Sequence, residues 1–210
     1  MLRVDPARGA GSSGTRGGFV LYLEGARDRG ILMAWCRRLI PAAAAPLSRA
    51  TVILGGRQPA RAVEHFQDLG GAQAGVRGLC VLDRDDGGAT AVDPEEPGLA
   101  FFTWGRRHIE SYLLVPDAIS RVLGKSDPGG RVGRELRRHL PPQGDERAYQ
   151  VLDAKRIIGP RGPLSRTLGR QIPLARVARA TLPPELHPDV HSFFAALRRE
   201  LGLTDVRVVR

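Results

Sequence analysis

Five acidic residues carry the chemistry this sequence offers: Glu24, Asp28, Asp83, Asp85 and Glu110. Glu24 closes an apolar run, FVLYL, and Asp28 follows four residues later, one helical turn on. Asp83 and Asp85 lie in DRDDG, directly after a second apolar run, GLCVL. Carboxylates brought together repel one another unless a cation neutralises them. Hard oxygen ligands in that number suit Mg²⁺ or Mn²⁺. Two such ions about 4 Å apart can activate water and stabilise the leaving oxygen of a phosphodiester. Each piece also has a plain structural reading. Asp28 suits the first turn of a helix through the helix dipole, DRDDG is a good turn, and Asp86 reads as a turn or supporting residue. Their joint occurrence, in order and at two strand ends, favours a metal site.

The elements that would position these residues follow from the apolar pattern. Phe19–Leu23 reads as a buried strand, and residues 27–40 carry Ile31, Leu32, Trp35, Cys36 and Leu39 at helical spacing until Pro41 stops them. TVIL at 51–54 is a second strand closed by Gly55-Gly56. Pro59 opens a helix with Val63, Phe66 and Leu69 on one face. GLCVL at 78–82 and LAFFT at 99–103 complete four strands. Strands that are apolar throughout and alternate with helices predict a parallel sheet covered on both faces. Ligands of such sheets sit beyond the carboxyl ends of the strands, where Glu24 and Asp83 fall. Beyond residue 116 the pattern changes. Short helices are expected near Pro116 and Pro173, separated by a loop rich in Gly, Pro and Arg. A final helix over 188–201 carries Val190, Phe193, Phe194, Leu197 and Leu201.

These residues resemble a known family. YLEGARDRGIL is similar to the first motif of Toprim domains, in which a Glu follows strand one, and VLDRDDG resembles the Toprim DxD motif, here Asp83 and Asp85. RRHIESYLL, with Glu110, resembles the segment after the DxD strand in OLD-type nucleases and related Toprim effectors; Ser111 departs from the Asn many relatives carry there. The resemblance covers roughly residues 18–115. It implies a Toprim-like catalytic domain over 18–115, a flexible leader over 1–17 and a helical appendage over 116–210. It also implies that Glu24, Asp28, Asp83, Asp85 and Glu110 hold or position two ions, Mg²⁺ or Mn²⁺. The activity implied is cleavage of DNA or RNA in bacterial or phage-related defence, beside a separate ATPase subunit. A homo-oligomer is compatible with it. OLD proteins carry their ATPase in the same chain, and no GxxxxGK[ST] sequence occurs here. A non-catalytic Toprim-fold module that binds nucleic acid or acts as a scaffold is therefore the alternative.

Lys155, in VLDAKRIIGPRG, resembles the functional lysine that follows the Toprim core of OLD-like nucleases; an ordinary solvated lysine is the competing reading. Arg156, Arg161, Arg166 and Arg170 offer a phosphate-binding strip or simply a solvated loop. Net charge is +10 over 210 residues, which attracts polyanions. Only Lys125 and Lys155 are lysines among 32 basic residues, an Arg bias that a GC-rich coding sequence also produces. The His residues add little: His65 sits on a helix, and His108 in a strand would alternate away from Glu110. No His/Cys spacing suits zinc. Cys36 and Cys80 lie in apolar segments and read as buried free thiols. The absence of an apolar leader or spanning run points to a cytoplasmic protein with no membrane partner.

Overall fold

A computed structural model describes residues 18–84, 94–124, 127, 130–142 and 144–203. The expected leader over 1–17, together with Asp85 and Asp86, lies outside them. Strands β1 (Phe19–Leu23), β2 (Thr51–Ile53), β3 (Arg77–Leu82) and β4 (Leu99–Thr103) form one sheet in the order β2-β1-β3-β4. All its pairings are parallel, with Leu21 opposite Thr51 and Leu79, and Cys80 opposite Phe101. The α/β architecture expected from the strand–helix alternation is the one observed.

Side-chain alternation along the strands splits the core in two. Val20, Tyr22, Cys80 and Leu82 point to one face and meet Ala62 and Phe66 of helix α3 (Pro59–Asp68). Leu21, Leu23, Leu79 and Val81 point to the other. There they meet Ile31, Leu32 and Trp35 of α1 (Ala26–Leu39) together with the C-terminal helices. The second face is much the larger. Phe193 and Phe194 of α10 (Pro188–Glu200) are buried there with Leu197, as their spacing predicts, and Phe193 stacks edge-on against Phe102 of β4 at 5.3 Å. The described residues of 116–203 therefore contribute to the core of the sheet. Both cysteines are buried and free, and burial pushes the Cys36 thiol up to about 12.

Two sequence expectations need correction. Pro41 stops α1 but also opens α2 (Pro41–Arg49), because proline suits the first helical turn as well as it blocks an interior one. The presumed loop before Pro173 contains α5 (Arg131–His139), α6 (Glu146–Val151), α7 (Ala154–Ile158) and α8 (Pro163–Leu168), after α4 (Pro116–Leu123). These are short, and glycines and prolines separate them, so no run is long enough to reveal a helical period. α9 (Leu174–Ala180) follows where the second Pro suggested it. Among the described residues no helix is long and apolar enough to cross a membrane.

Candidate functional site

The chain passes from β1 to β2 on one side, then crosses to β3 on the other side of β1. The carboxyl ends of β1 and β3 thus flank the point where strand order reverses, the crevice in which open α/β sheets bind ligands. Glu24 and Asp83 both lie there. Glu24 Oε1 accepts a hydrogen bond from the Asp83 backbone N–H at 2.7 Å, which ties the two strand ends together. The Glu24 carbonyl is held in turn by the N–H groups of Gly55 and Gly56, each at 3.0 Å. Those glycines have φ of 84° and 135°, a backbone that side chains with a Cβ rarely adopt. The Gly-Gly pair after β2 is thus a positioning device for Glu24.

Asp28 lies in the first turn of α1, and its Oδ2 accepts from Gly25 N at 2.9 Å. Burial, reinforced by the negative charges of Asp83 and Glu110, pushes its carboxyl up to about 6, against the pull of the Gly25 N–H and Lys155. Asp28, Asp83 and Glu110 are therefore electrostatic neighbours, although they come from three separate segments.

Asp83 is only 4% exposed. Burial alone would raise its pKa, but hydrogen bonds and positive charge from His108 and Lys155 hold it below the usual carboxylate value. Lys155 Nζ lies 2.7 Å from Oδ2, His108 Nδ1 lies 3.3 Å from the same oxygen, and Ile109 N donates to Oδ1 at 3.1 Å. The Lys155 ammonium loses some of its charge preference to burial, but Asp83, with Glu110 and Asp28 behind it, raises its pKa on balance.

Glu110 is the outlier. It is 1% exposed, sits in a 3-10 turn spanning Ile109–Leu113, and among the described residues neither carboxylate oxygen has a hydrogen-bond partner. Its nearest cation is Arg27, 3.5 Å from Oε1. Arg106 and Arg107 lie close to Glu110 in sequence but do not pair with it. Instead Arg106 pairs with Glu146 at 2.8 Å and Arg107 approaches Asp153 at 3.8 Å. A buried carboxylate without hydrogen bonds is expensive to hold, and a divalent cation is the group whose chemistry would satisfy it. The donors on hand, all hard carboxylate oxygens, fit Mg²⁺ or Mn²⁺. Among the described residues no three such side chains converge as a ready ligand set; Asp85 would have to contribute from outside them.

His108 corrects the sequence reading. The segment is a 3-10 turn and not a strand, and in a strand residues 108 and 110, two apart, would share a face in any case. As the extended residue before the turn, His108 turns its ring to Asp83, with Nε2 3.7 Å from Asp153. Asp153 went unnoticed as well. It caps α7 by accepting from Arg156 N at 3.0 Å, and so fixes the helix that carries Lys155. The sequence signal was present in LDAK, an N-cap aspartate two residues before the lysine. Tyr112 locks the turn from behind: its hydroxyl accepts from Arg106 N at 2.9 Å and donates to Asp189 of α10 at 2.5 Å.

Comparison with protein-family models, with curated proteins and with solved structures finds no match to the chain.

Proposed function

We propose that the chain is a divalent-metal-dependent nuclease of the Toprim type, related to the OLD-like branch, acting as a cytoplasmic defence effector with a separate ATPase partner. One observation carries the reading: Glu110 holds a fully buried, hydrogen-bond-free carboxylate beside Asp28 and Asp83, at the sheet edge that also bears Glu24. When bound, Mg²⁺ or Mn²⁺ would supply an activated water and charge stabilisation at the phosphate. Glu24, Asp28, Asp83, Asp85 and Glu110 are the residues to hold it. Lys155 would meet the negative charge that develops on the phosphate, and His108 would keep Asp83 oriented.

A second reading has its own observation. Lys155, His108 and the Ile109 N–H already occupy both oxygens of Asp83. That suits a module that binds nucleic acid without cutting it, or an effector kept silent until a partner moves Lys155. Cleavage assays on plasmid DNA, single-stranded DNA and tRNA in Mg²⁺ and Mn²⁺, with wild type and Glu24→Ala, separate the readings. Metal-dependent cleavage lost in Glu24→Ala is the expected result. Wild-type inactivity on all three substrates, with the ATPase partner present, would leave the binding module standing.

A further inference from the structure

Beside the acidic edge lies a groove of about 940 Å³ between α5, α7 and the start of α8, lined among others by Glu135, His139, Lys155, Arg156, Arg161 and Arg166. Lys155 belongs to both places: its ammonium touches Asp83, and its side chain forms the near wall of the groove. The remaining charges differ in kind from those at the edge. Arg156 and Arg161 are exposed, and among the described residues neither guanidinium has an acidic partner. Arg166 donates to the Arg161 carbonyl at 3.0 Å and leaves its charge uncompensated. The one acid of the wall, Glu135, is already paired within its own helix with Arg138 at 3.0 Å and hydrogen-bonded to His139 at 3.1 Å. The groove is therefore a concave, net-positive surface without internal compensation.

Its architecture is rigid. Gly159 and Gly162 bracket the turn between α7 and α8. A Cβ on Gly162 would stand 2.3 Å from the Ile157 carbonyl oxygen, and one on Gly159 would stand 2.2 Å from that of Lys155. The Ser165 hydroxyl, buried, donates to the Gly159 carbonyl at 2.8 Å. The turn GPRG is thus close-packed on its inner side and presents Arg161 outward, on a frame shared with Lys155.

Among the described residues no Phe, Tyr or Trp lines the groove, and its one ring, the imidazole of His139, is hydrogen-bonded to Glu135 at 3.1 Å. Surfaces that hold single strands rely on rings that stack bases, worth about 1–3 kcal/mol per base. The exposed cations on offer are the guanidiniums of Arg156, Arg161 and Arg166 beside the Lys155 ammonium, and guanidiniums match phosphate oxygens two at a time. We infer that this groove grips the sugar–phosphate backbone of double-stranded nucleic acid, without reading bases, and leads the duplex to the acidic edge through Lys155. The inference rests on the nuclease reading only for what happens at that edge; the grip itself needs no metal.

The test is binding of short fluorescent duplexes by the full chain in EDTA, followed by anisotropy across a salt series, with DNA duplex, RNA duplex and single strand of one sequence. Wild type should hold a duplex more tightly than the single strand, and the duplex that binds names the sugar. In Arg156→Gln/Arg161→Gln the slope of log K against log salt should shrink by about two, and affinity at 0.1 M salt should fall on the order of tenfold to a hundredfold for every sequence alike. Both side chains are exposed, so an unchanged melting temperature will certify the fold. An unchanged slope, or single strand held as well as duplex, overturns the groove. Duplex binding that needs the two arginines but is never followed by cleavage keeps the groove and removes the nuclease. Glu24-dependent cleavage indifferent to both arginines does the reverse.

Discussion

At the carboxyl edge of the sheet Glu110 is buried with both oxygens unbonded, while one helix away Arg156 and Arg161 stand in solvent with no acid to meet them. Glu110 has an ion pair with Arg27 at 3.5 Å but no hydrogen bond among the described residues, so both regions hold charge short of partners, on opposite terms. The acidic edge is crowded and largely buried, and its charges act on one another: burial with Asp83 and Glu110 raises Asp28, while His108 and Lys155 lower Asp83. The groove is wet and sparse, and its charges act independently through a screened field. Buried charge is costly until a cation arrives, so substitutions there should move stability and activity in different directions. Exposed charge costs the fold little, so substitutions there should move binding alone.

The sharpest break of this comparison is Glu24→Ala. Cleavage should fall by orders of magnitude, because the residue to be lost faces the proposed ions. Duplex binding should persist, since the groove is untouched. A mutant that cuts at the wild-type rate would remove Glu24 from the site and dissolve the division of labour between edge and groove.

Gly162→Ala attacks the frame that the two regions share. The new methyl would lie 2.3 Å from the Ile157 carbonyl and 2.6 Å from that of Arg156, both backbone atoms that cannot swing aside. Overpacking of this kind should cost about 3 kcal/mol in urea denaturation. Because Lys155 and Arg161 sit on either side of the turn, cleavage and binding should weaken together. Wild-type stability in this variant would show that the turn is looser than its packing implies.

Asp28→Asn sharpens the electrostatic half of the contrast through pH. The folded carboxyl titrates at about 6, against about 3.9 in an unfolded chain. Between those values the folded state keeps a proton that the unfolded state has released, so stability falls as pH rises from about 4 to about 6 and stays lower above it. Two units correspond to about 3 kcal/mol as a ceiling; for a half-buried group screened by solvent, about 1–2 kcal/mol is the expected size. Asparagine keeps an acceptor for Gly25 N and removes the charge. The mutant should therefore be more stable than wild type at pH 7 and equal to it near pH 4, and Mg²⁺ should narrow the gap. Asp83, with its lowered pKa, acts in the opposite sense but below about pH 4, outside this window. A mutant less stable at pH 7 would mean that Asp28 is held mainly by its hydrogen bond.

The two regions also differ in how far the sequence exposed them. The sheet was legible because the strands are apolar runs, the first three closed by an acid or a glycine pair, and a strand end fixes where a ligand can sit: β1 ends at Leu23 and β3 at Leu82, each one residue before its acid. That logic brought Glu24 and Asp83 to one edge. It could not show that Asp83 is capped by His108 and Lys155, since both arrive from segments with no strand–helix alternation to place them. The sequence set His108 apart from Glu110, although residues two apart share a face of a strand; the segment is in fact a 3-10 turn fastened by Tyr112 and Asp189. The groove was only half legible, as a phosphate-binding strip of Arg156, Arg161, Arg166 and Arg170 or a solvated loop, for a related reason. α7 and α8, at five and six residues, are too short to carry a helical period, and their arginines read as loop. What converts those arginines into one surface is the close-packed GPRG turn, a tertiary fact.

The smallest expected effect is also the most telling about the groove. Arg156→Gln/Arg161→Gln should leave unfolding free energy within about 0.5 kcal/mol of wild type, as for surface residues away from packed or paired features. If anything it should raise stability slightly at low salt, because the chain carries a net charge of +10 and loses two of the charges that repel one another. The gain should vanish once salt screens the field. The opposite sign, a loss that persists at high salt, would mean that the guanidiniums are bonded into the fold through contacts as fixed as those of Lys155 with Asp83. Wet, independent charge would then be the wrong description of the groove, and the contrast with the edge would reduce to one of sign. Urea denaturation at low and high salt, run beside Asp28→Asn, decides this directly. The acidic substitution should stabilise at pH 7 in both salts, since its penalty arises from burial, while the arginine pair should respond to salt and hardly to pH.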